Sequence, residues 1–203
     1  MGQTSAACQP SIGRRELLGS IASMALVAGS SDAASQSGAS QPQSSKVLVA
    51  YFTRTGNTRV IALQIRRALR ADLFEIEPND QYPEDYEATV AQAGRERDSG
   101  YRPPLKASVP DIRSYDVVFL GFPIWGETAP PVIRSFLSQR DLSGKTLVPF
   151  ITHGGYGQGG SMKVVNEHAP RASVLNPFVL QADQERRTLT QVSRWLSGVN
   201  IRT

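Results

Sequence analysis

Six consecutive residues combine hydroxyl groups, a glycine and a basic side chain in a pattern suited to binding an anion. They are Thr53, Arg54, Thr55, Gly56, Asn57 and Thr58. They follow an apolar run and precede a helical pattern, and the free N–H groups of a helix start favour negative charge. Gly56 permits a turn with positive φ, and threonine hydroxyls donate to phosphate oxygens. The segment predicts a phosphate site, with a threonine-rich helix cap as the alternative; the lysine of a nucleoside-triphosphate loop is missing.

Two later loops carry glycine next to aromatic or histidine side chains. One contains Pro123, Ile124, Trp125 and Gly126, and the other contains Thr152, His153, Gly154, Gly155, Tyr156 and Gly157. Five glycines between residues 152 and 161 allow the backbone to approach a flat ligand closely. The second loop is not a serine nucleophile motif, because Lys163 stands where Gly-x-Ser-x-Gly requires its last glycine.

Apolar runs alternate with helical patterns from Lys46 onward. Strands are predicted over residues 47–52, 73–76, 117–122, 146–151 and 174–180, and helices near 61–69, 84–97, 130–137, 161–168 and 184–197. Pro149 and Pro177 fit poorly within strands, because proline removes a donor from the hydrogen-bond ladder. This alternation predicts an α/β fold: a doubly wound, open five-stranded parallel sheet in three α/β/α layers. Ligands bind such sheets beyond the carboxyl ends of the strands, where the three loops lie.

Four motifs together resemble the flavodoxin-like family. The first is Tyr-Phe-Thr-Arg-Thr-Gly-Asn-Thr at residues 51–58. The others, in chain order, are Tyr82-Pro83 with Tyr86, Gly121-Phe122-Pro123-Ile124-Trp125, and Thr152-His153-Gly154-Gly155. The resemblance covers residues 46–196 and implies a flavodoxin-like fold with flavin mononucleotide (FMN) as the cofactor.

The resemblance also implies roles for the two later loops. The loop at residues 123–128 would flank the isoalloxazine ring, where Trp125 either stacks on the ring or is a plain core aromatic. N–H groups of the loop at 152–161 would donate to flavin O2 and N1, and Tyr156 would cover the other ring face. His153 either tunes the N1 side or is purely structural. Three further residues are candidates for the flavin rim or are ordinary surface residues: Tyr86, Arg95 and Arg102.

Charge and composition exclude several classes of function. A formal net charge of +4 over 203 residues is mildly basic, and the scattered Lys and Arg residues do not indicate a nucleic-acid binder. Cys8 is the one cysteine, so a disulfide framework is excluded. The two histidines, His153 and His168, form no cluster with ligand spacing, so no protein-ligated metal is predicted.

The N-terminal segment has the layout of an export signal. Arg14-Arg15 precedes a short apolar stretch and a zone of small residues, which resembles a twin-arginine signal although Gly13 and Leu17 depart from its usual pattern. The stretch is too short to span a bilayer, so no membrane span is expected after cleavage. The predicted organisation is an export signal at 1–33, a flexible linker at 34–45 and an FMN-binding domain at 46–203. A disordered tail or an uncleaved anchor is the alternative for the signal.

The sequence leaves three functions open. The protein would be an exported FMN-dependent oxidoreductase reducing a quinone or another small acceptor, a non-enzymatic electron carrier, or a non-catalytic FMN-binding module. Its basic charge weakens the simple carrier, because many electron-shuttling flavodoxins are acidic, and a basic carrier needs acidic partners. Export favours a membrane quinol or another exported redox protein as the electron donor. No catalytic residue is assigned.

Overall fold

The structure is a computed structural model that describes residues 45–139, 141–182 and 185–201, with no side chains described for 185–187. The predicted export signal at 1–33 and all but the last residue of the predicted linker at 34–45 lie outside the described residues. Cys8 and the Arg14-Arg15 pair therefore lie outside them as well. Of the helices that are described, none has the length and apolar character needed to cross a bilayer.

A parallel sheet forms the centre of the domain. Its strands are β1 (Val47–Tyr51), β2 (Asp72–Glu75), β3 (Val117–Pro123), β4 (Thr146–His153), β5 (Ser173–Val174) and β6 (Phe178–Gln181). The strand order is β2-β1-β3-β4, and both β5 and β6 pair with the remaining edge of β4. The predicted parallel sheet with five strand positions is confirmed, because β5 and β6 share the position beside β4. The prediction of one continuous strand over 174–180 is wrong.

Two prolines account for this split. Pro177 lies in the gap between β5 and β6, where a proline cannot donate to the ladder. Pro149 of β4 lies between Leu147, which pairs with β5, and Phe150, which pairs with β6. The carbonyl of Leu147 accepts from Leu175 N at 2.9 Å, and Pro149, two residues further on, faces the same edge of the strand. The N–H group that Pro149 lacks would therefore face the gap between β5 and β6. For this reason a proline is tolerated in the interior of β4.

Helices cover both faces of the sheet. They are α1 (Asn57–Leu69), α2 (Tyr86–Asp98), α3 (Pro131–Ser138), α4 (Ser161–His168) and α5 (Glu185–Gly198). Alternate residues of β1 point to opposite faces, so Leu48 joins a core with Ile133 of α3, while Val49 joins a second core with Ile61 of α1 and Val192 of α5. Each fully buried apolar side chain of this kind contributes about 1.5–3 kcal/mol. The three-layer arrangement predicted from the sequence is therefore present.

The strand order places three loops at one edge. The chain leaves β1 toward β2 and later returns to the other side of β1 with β3, which creates a topological switch point between β1 and β3. The loops after β1, β3 and β4 all begin at the carboxyl ends of these adjacent strands. They are the loops in which the sequence predicts the ligand site.

Candidate functional site

One cavity of about 480 Å³ lies where the three loops meet. Its lining includes Thr53, Arg54, Thr55, Asn57, Thr58, Pro123, Ile124, Trp125, Gly126, Thr152, His153, Gly154 and Tyr156. Three residues of the predicted set do not line it: Gly56, Gly155 and Gly157. Each of these three glycines has a positive φ, at 94°, 134° and 69° respectively. They therefore allow the turns of the loops but do not themselves line the cavity.

The start of α1 is an open anion site. Gly56 is the N-cap residue with φ +94°, and no side chain caps the helix. The N–H of Gly56 donates to Thr53 Oγ1 at 3.1 Å, which closes the turn and leaves the Thr53 hydroxyl proton available. No acidic residue lies in the first turn. The N–H groups of Asn57 and Thr58 have no acceptor among the described residues, and both residues line the cavity.

A buried pair of hydroxyls joins this helix start to the sheet. Thr58 Oγ1 and Thr152 Oγ1 are 2.9 Å apart, and the two residues are 1% and 3% exposed. Because each hydroxyl carries one proton, one member of the pair donates to the other and the second keeps its proton for another acceptor. The pair fixes the phosphate loop against the end of β4. The Thr58 hydroxyl is thus already hydrogen-bonded within the protein, whereas the Thr55 side chain is exposed.

Two arginines near the phosphate loop have different partners. Arg59, in the first turn of α1, is 2.6 Å from Glu75, and the hydrogen bond to Glu75 raises the pKa of Arg59. Arg54 instead reaches across the mouth of the cavity, donating to the carbonyl of Glu84 at 3.1 Å with its guanidinium 5.6 Å from the Tyr86 ring centroid. Arg54 is therefore the arginine that remains beside the anion site.

The loop after β3 contains a tight turn. Trp125 N donates to Thr128 O at 2.9 Å, and Thr128 N donates back to Trp125 O at 3.4 Å. The two central residues, Gly126 and Glu127, have φ values of 56° and 65°, as in a type I′ turn. Glu127 adopts the left-handed region without being glycine, which costs about 1–2 kcal/mol.

Trp125 is a core aromatic. It is 3% exposed, and its indole packs edge-to-face against Phe52 at 5.1 Å and Tyr82 at 4.8 Å between ring centroids. Trp125 also lines the cavity, so its stacking on a bound ring stays a prediction. Burial, and then the hydrogen bond to Glu96 at 2.7 Å, raise the pKa of Tyr82, so this packing partner of Trp125 stays neutral. Tyr156, by contrast, is 81% exposed and free to cover a ligand.

The loop after β4 is clamped to the turn after β3. Gly160 N donates to the carbonyl of Glu127 at 2.8 Å. A Cβ atom at Gly159, whose φ is +48°, would lie only 2.0 Å from that same carbonyl oxygen. Glycine is therefore required at position 159 by both space and backbone conformation.

His153 organises its own loop. Its Nδ1 accepts from Gly155 N at 3.0 Å and from Gly157 N at 3.1 Å. Two donors at Nδ1 require that nitrogen to be unprotonated, so the remaining proton is on Nε2. Of the two interpretations of this residue, the structural one is supported by these contacts. They also occupy two of the N–H groups predicted to donate to the flavin; those of Gly154 and Tyr156 have no acceptor within the described residues.

Two cavity residues were missed by sequence reasoning. Glu127 lies within the predicted loop at 123–128 but was not named as a site residue, and Ala182 follows β6, whose end the strand pattern placed too early. The place of Glu127 directly after Gly126 in that loop was a usable signal for the first, and nothing local marks the second. Tyr86 lines the cavity, whereas Arg95 and Arg102 do not. Among the described residues, no group of three or more His, Cys, Asp and Glu side chains could hold a metal ion.

Comparison with known proteins identifies the family. A family model described as Flavodoxin matches residues 46–199. A solved structure from Bacteroides eggerthii DSM 20697, described as a flavoprotein, is 33% identical, with 78% of this chain and 100% of that chain covered and a TM-score of 0.67. A second, from Bacteroides uniformis ATCC 8492, is 29% identical, with 75% and 98% covered and a TM-score of 0.66.

A more distant structure gives further support to the fold. It is a flavoprotein in complex with FMN from Lactobacillus acidophilus NCFM, 21% identical, with 72% and 99% of the chains covered and a TM-score of 0.61. No curated protein matches the chain. The match over residues 46–199 and the close agreement with the Bacteroides structure show that this chain belongs to the flavodoxin-like, FMN-binding family.

Proposed function

We propose that the protein binds FMN in the cavity at the carboxyl ends of β1, β3 and β4 and acts as a redox protein through it. One observation carries this proposal: a single cavity is lined by the uncapped start of α1 and by turns of two glycine-containing loops. Its volume of about 480 Å³ is in the usual range for small-molecule sites. The similar flavoprotein from Lactobacillus acidophilus binds FMN, which supports the choice of ligand.

The phosphate end of the ligand fits the start of α1. The N–H groups of Asn57 and Thr58 point along the helix axis toward the cavity, and the helix dipole adds a positive potential there. The proton of the Thr53 hydroxyl is free because its oxygen accepts from Gly56. Arg54 supplies a positive charge at the mouth of the cavity. We expect these groups to hold the phosphate without any metal ion.

The ring end fits between the two glycine loops. Gly126 and Glu127 form one wall, and the exposed Tyr156 is positioned to cover the other side. The N–H groups of Gly154 and Tyr156 are the loop donors left for the polar edge of the ring. Bound flavin supplies the electron-transfer chemistry, and these residues bind it, orient it and exclude water.

We further propose that the protein is an oxidoreductase that reduces a quinone or another small acceptor. The cavity is open beside Tyr156, which is 81% exposed, so a small acceptor can reach the ring. A non-enzymatic carrier and a non-catalytic FMN module are the alternatives. Dithionite-reduced protein should be reoxidised by menadione with saturation kinetics. Reoxidation by a cytochrome alone would indicate a carrier, and a flavin that is never reduced would indicate a non-catalytic module.

Export is proposed from the N-terminal sequence. Arg14-Arg15 before the apolar stretch supports a twin-arginine route, which carries folded proteins and would allow FMN to be loaded before export. Donors would then be a membrane quinol or another exported redox protein. Fractionation of cells producing the full chain should find the mature protein outside the cytoplasm. Replacing both arginines by lysine should retain it inside, and unchanged export would refute the twin-arginine assignment.

FMN binding is tested with a pair of glycine variants. Gly56→Val forces a β-branched residue into φ +94° at the anion site, whereas Gly144→Val makes the same change at φ +71° on the loop before β4, at the opposite end of the sheet. Neither Cβ meets an atom within 4 Å, so the two variants share backbone strain and lack clashes. We expect Gly56→Val to lose FMN and Gly144→Val to retain it. A wild-type protein that is colourless and refuses added FMN would refute the proposal.

A further inference from the structure

The groove between α1 and α5 carries exposed aliphatic side chains. It has a volume of about 440 Å³, and its lining includes Val60, Leu63, Gln64, Arg67 and Leu189. Among the described residues, the large aliphatic side chains that are exposed are Val60, at 42%, and Leu189, at 50%. Single apolar side chains scattered over a surface need no explanation, but these two lie in the same groove. Their concentration indicates an apolar contact surface.

A glutamine joins the two helices at this groove. Gln64 Nε2 donates to the carbonyl of Leu189 at 2.7 Å and to Ser193 Oγ at 2.9 Å. Beneath it, Ile61 of α1 and Val192 of α5 are fully buried in the same core. The groove is therefore a fixed feature of the fold that does not need a ligand in order to form.

A basic stretch of the chain forms one side of the groove. Residues 57–70 contain Arg59, Arg66, Arg67 and Arg70 and no acidic residue. These four arginines amount to the formal net charge of the whole chain, +4, so the remainder of the chain is neutral overall. Arg59 already has a carboxylate partner. The other three arginines are exposed and make no ion pair within the described residues, so their charge faces the solvent.

Apolar and basic side chains share one side of α1. Val60, Leu63 and Arg67 follow one another at intervals of three and four residues, which places them on the same stripe of the helix. On α5, Arg194 is exposed and likewise makes no ion pair in the part of the chain that the structure describes. Aliphatic and basic side chains together are the composition that binds the interface of a membrane containing anionic lipids.

Two other occupants fit this groove less well. Arginine and aromatic residues dominate the energetic centres of protein interfaces, where leucine and valine are under-represented. The described lining of the groove contains aliphatic residues and no aromatic one. A second copy of the chain would bring the arginines of two α1 helices together, and like charges across an interface repel. A lipid surface is therefore favoured over a protein.

We propose that this side of the protein docks on the surface of a membrane that contains anionic phospholipids. We call the residues that make the contact the α1–α5 surface: Val60, Leu63, Arg66, Arg67, Leu189 and Arg194. The aliphatic side chains enter the headgroup region and the arginines contact lipid phosphates. Val60 lies three residues beyond Asn57, which lines the flavin cavity, or about 4.5 Å along the helix axis, so docking brings the cavity close to the membrane. The inference goes beyond the proposed function, because docking does not require FMN, and it favours a lipid-soluble quinol as the electron donor.

The test is co-sedimentation of the full chain with phospholipid vesicles. One set of vesicles contains phosphatidylcholine alone, and the other contains phosphatidylcholine with the anionic lipid phosphatidylglycerol. Both the FMN-loaded and the FMN-stripped protein are used, so the result does not depend on the flavin. We expect binding to the anionic vesicles to be at least about tenfold tighter, and to weaken between about 20 mM and about 300 mM NaCl. Absence of binding, equal binding to the two sets or binding that is indifferent to salt would overturn the proposal.

A matched pair of double variants localises the charged part of the surface. Arg66→Gln with Arg67→Gln should weaken binding to the anionic vesicles about ten- to thirtyfold at low salt. Arg95→Gln with Lys163→Gln removes the same charge from exposed positions on α2 and α4, on the opposite face of the sheet, and should change it less than about twofold. Both variants keep residues 1–45, so any binding of that segment to vesicles is common to the two. Equal losses would show that only net charge matters and would refute the α1–α5 surface.

A second pair of variants tests the apolar part. Val60→Gln with Leu189→Gln should weaken vesicle binding at least about threefold, whereas Tyr101→Gln, which removes another exposed apolar side chain, should leave it unchanged. Soluble polyglutamate serves as an acidic polypeptide probe. If it binds as tightly as the anionic vesicles and the Val60 and Leu189 replacements have no effect, the surface binds acidic proteins and the membrane proposal is overturned. Self-association without vesicle binding would show that a second copy is the occupant and would also overturn it.

The flavin spectrum of the same samples separates this inference from the proposed function. Protein that never holds FMN but binds anionic vesicles selectively would contradict the proposed function and leave the α1–α5 surface supported. Protein that retains FMN without selective vesicle binding would contradict the α1–α5 surface alone.

Discussion

Replacing His153 by alanine should weaken FMN binding without unfolding the protein. The side chain contributes two hydrogen bonds, from Gly155 N at 3.0 Å and Gly157 N at 3.1 Å, that hold the loop after β4 in one conformation. Each such bond is worth about 0.5–1.5 kcal/mol net. Together they stabilise the ordered loop by about 1–3 kcal/mol, and water can replace part of this because Gly155 is exposed.

This energy translates directly into affinity if the loop must be ordered to hold the ring. A loss of about 1–3 kcal/mol corresponds to a dissociation constant raised about 5- to 150-fold, and the exposure of the loop favours the lower part of that range, about tenfold. The assay is titration of the apoprotein with FMN, followed by quenching of flavin fluorescence. Thermal unfolding of the same variant without FMN should change little, because the lost contacts lie within one surface loop.

Two companion variants make the result specific. His168→Ala removes the other histidine, whose Nδ1 is 2.9 Å from Val164 O within α4, and should leave FMN affinity unchanged. His153→Asn retains a side-chain acceptor and should recover part of the affinity lost in His153→Ala. Affinity of His153→Ala within about twofold of the wild type would refute the assigned role of the histidine, as would equal losses in His153→Ala and His168→Ala.

Three other predictions concern the scaffold. Gly121→Ala should destabilise the fold by about 2–3 kcal/mol in urea unfolding, because its Cβ would lie 2.1 Å from the Phe150 ring; an unchanged midpoint would contradict this packing. Arg70→Gly should raise stability by up to about 1 kcal/mol, because Arg70 ends α1 at φ 51°, and a lower melting temperature would contradict the strain. Burial, and then the hydrogen bond to Asp72, raise the pKa of Tyr115 to about 12, so its contribution is complete below about pH 10 and is lost as the pH rises toward 12. Tyr115→Phe should therefore lose less stability over that interval than the wild type, and equal losses would refute the assignment.

Much of the fold was predictable because it is encoded locally. The continuous apolar run at Val47–Tyr51 and the helical spacing that follows it identify a buried strand and its helix from residue type alone. Gly56 between hydroxyl residues identifies the anion site for the same reason: a turn with positive φ and a helix start are properties of a few adjacent residues. The family and the three converging loops were therefore accessible from the sequence.

The remaining features depend on residues that are distant in sequence. For Trp125 the sequence left stacking and core packing open, and only the tertiary structure shows that the indole packs against Phe52 and Tyr82. The contact between Arg134 of α3 and the Arg97 carbonyl of α2 joins two distant segments, so no local pattern indicates it. The sequence by itself determined the order of elements, the phosphate loop and the family, since these follow from local periodicity and residue type. The tertiary structure decided which groups face the cavity, which contact one another and which already have a hydrogen-bond partner. Burial and hydrogen bonding depend on neighbours that only folding supplies.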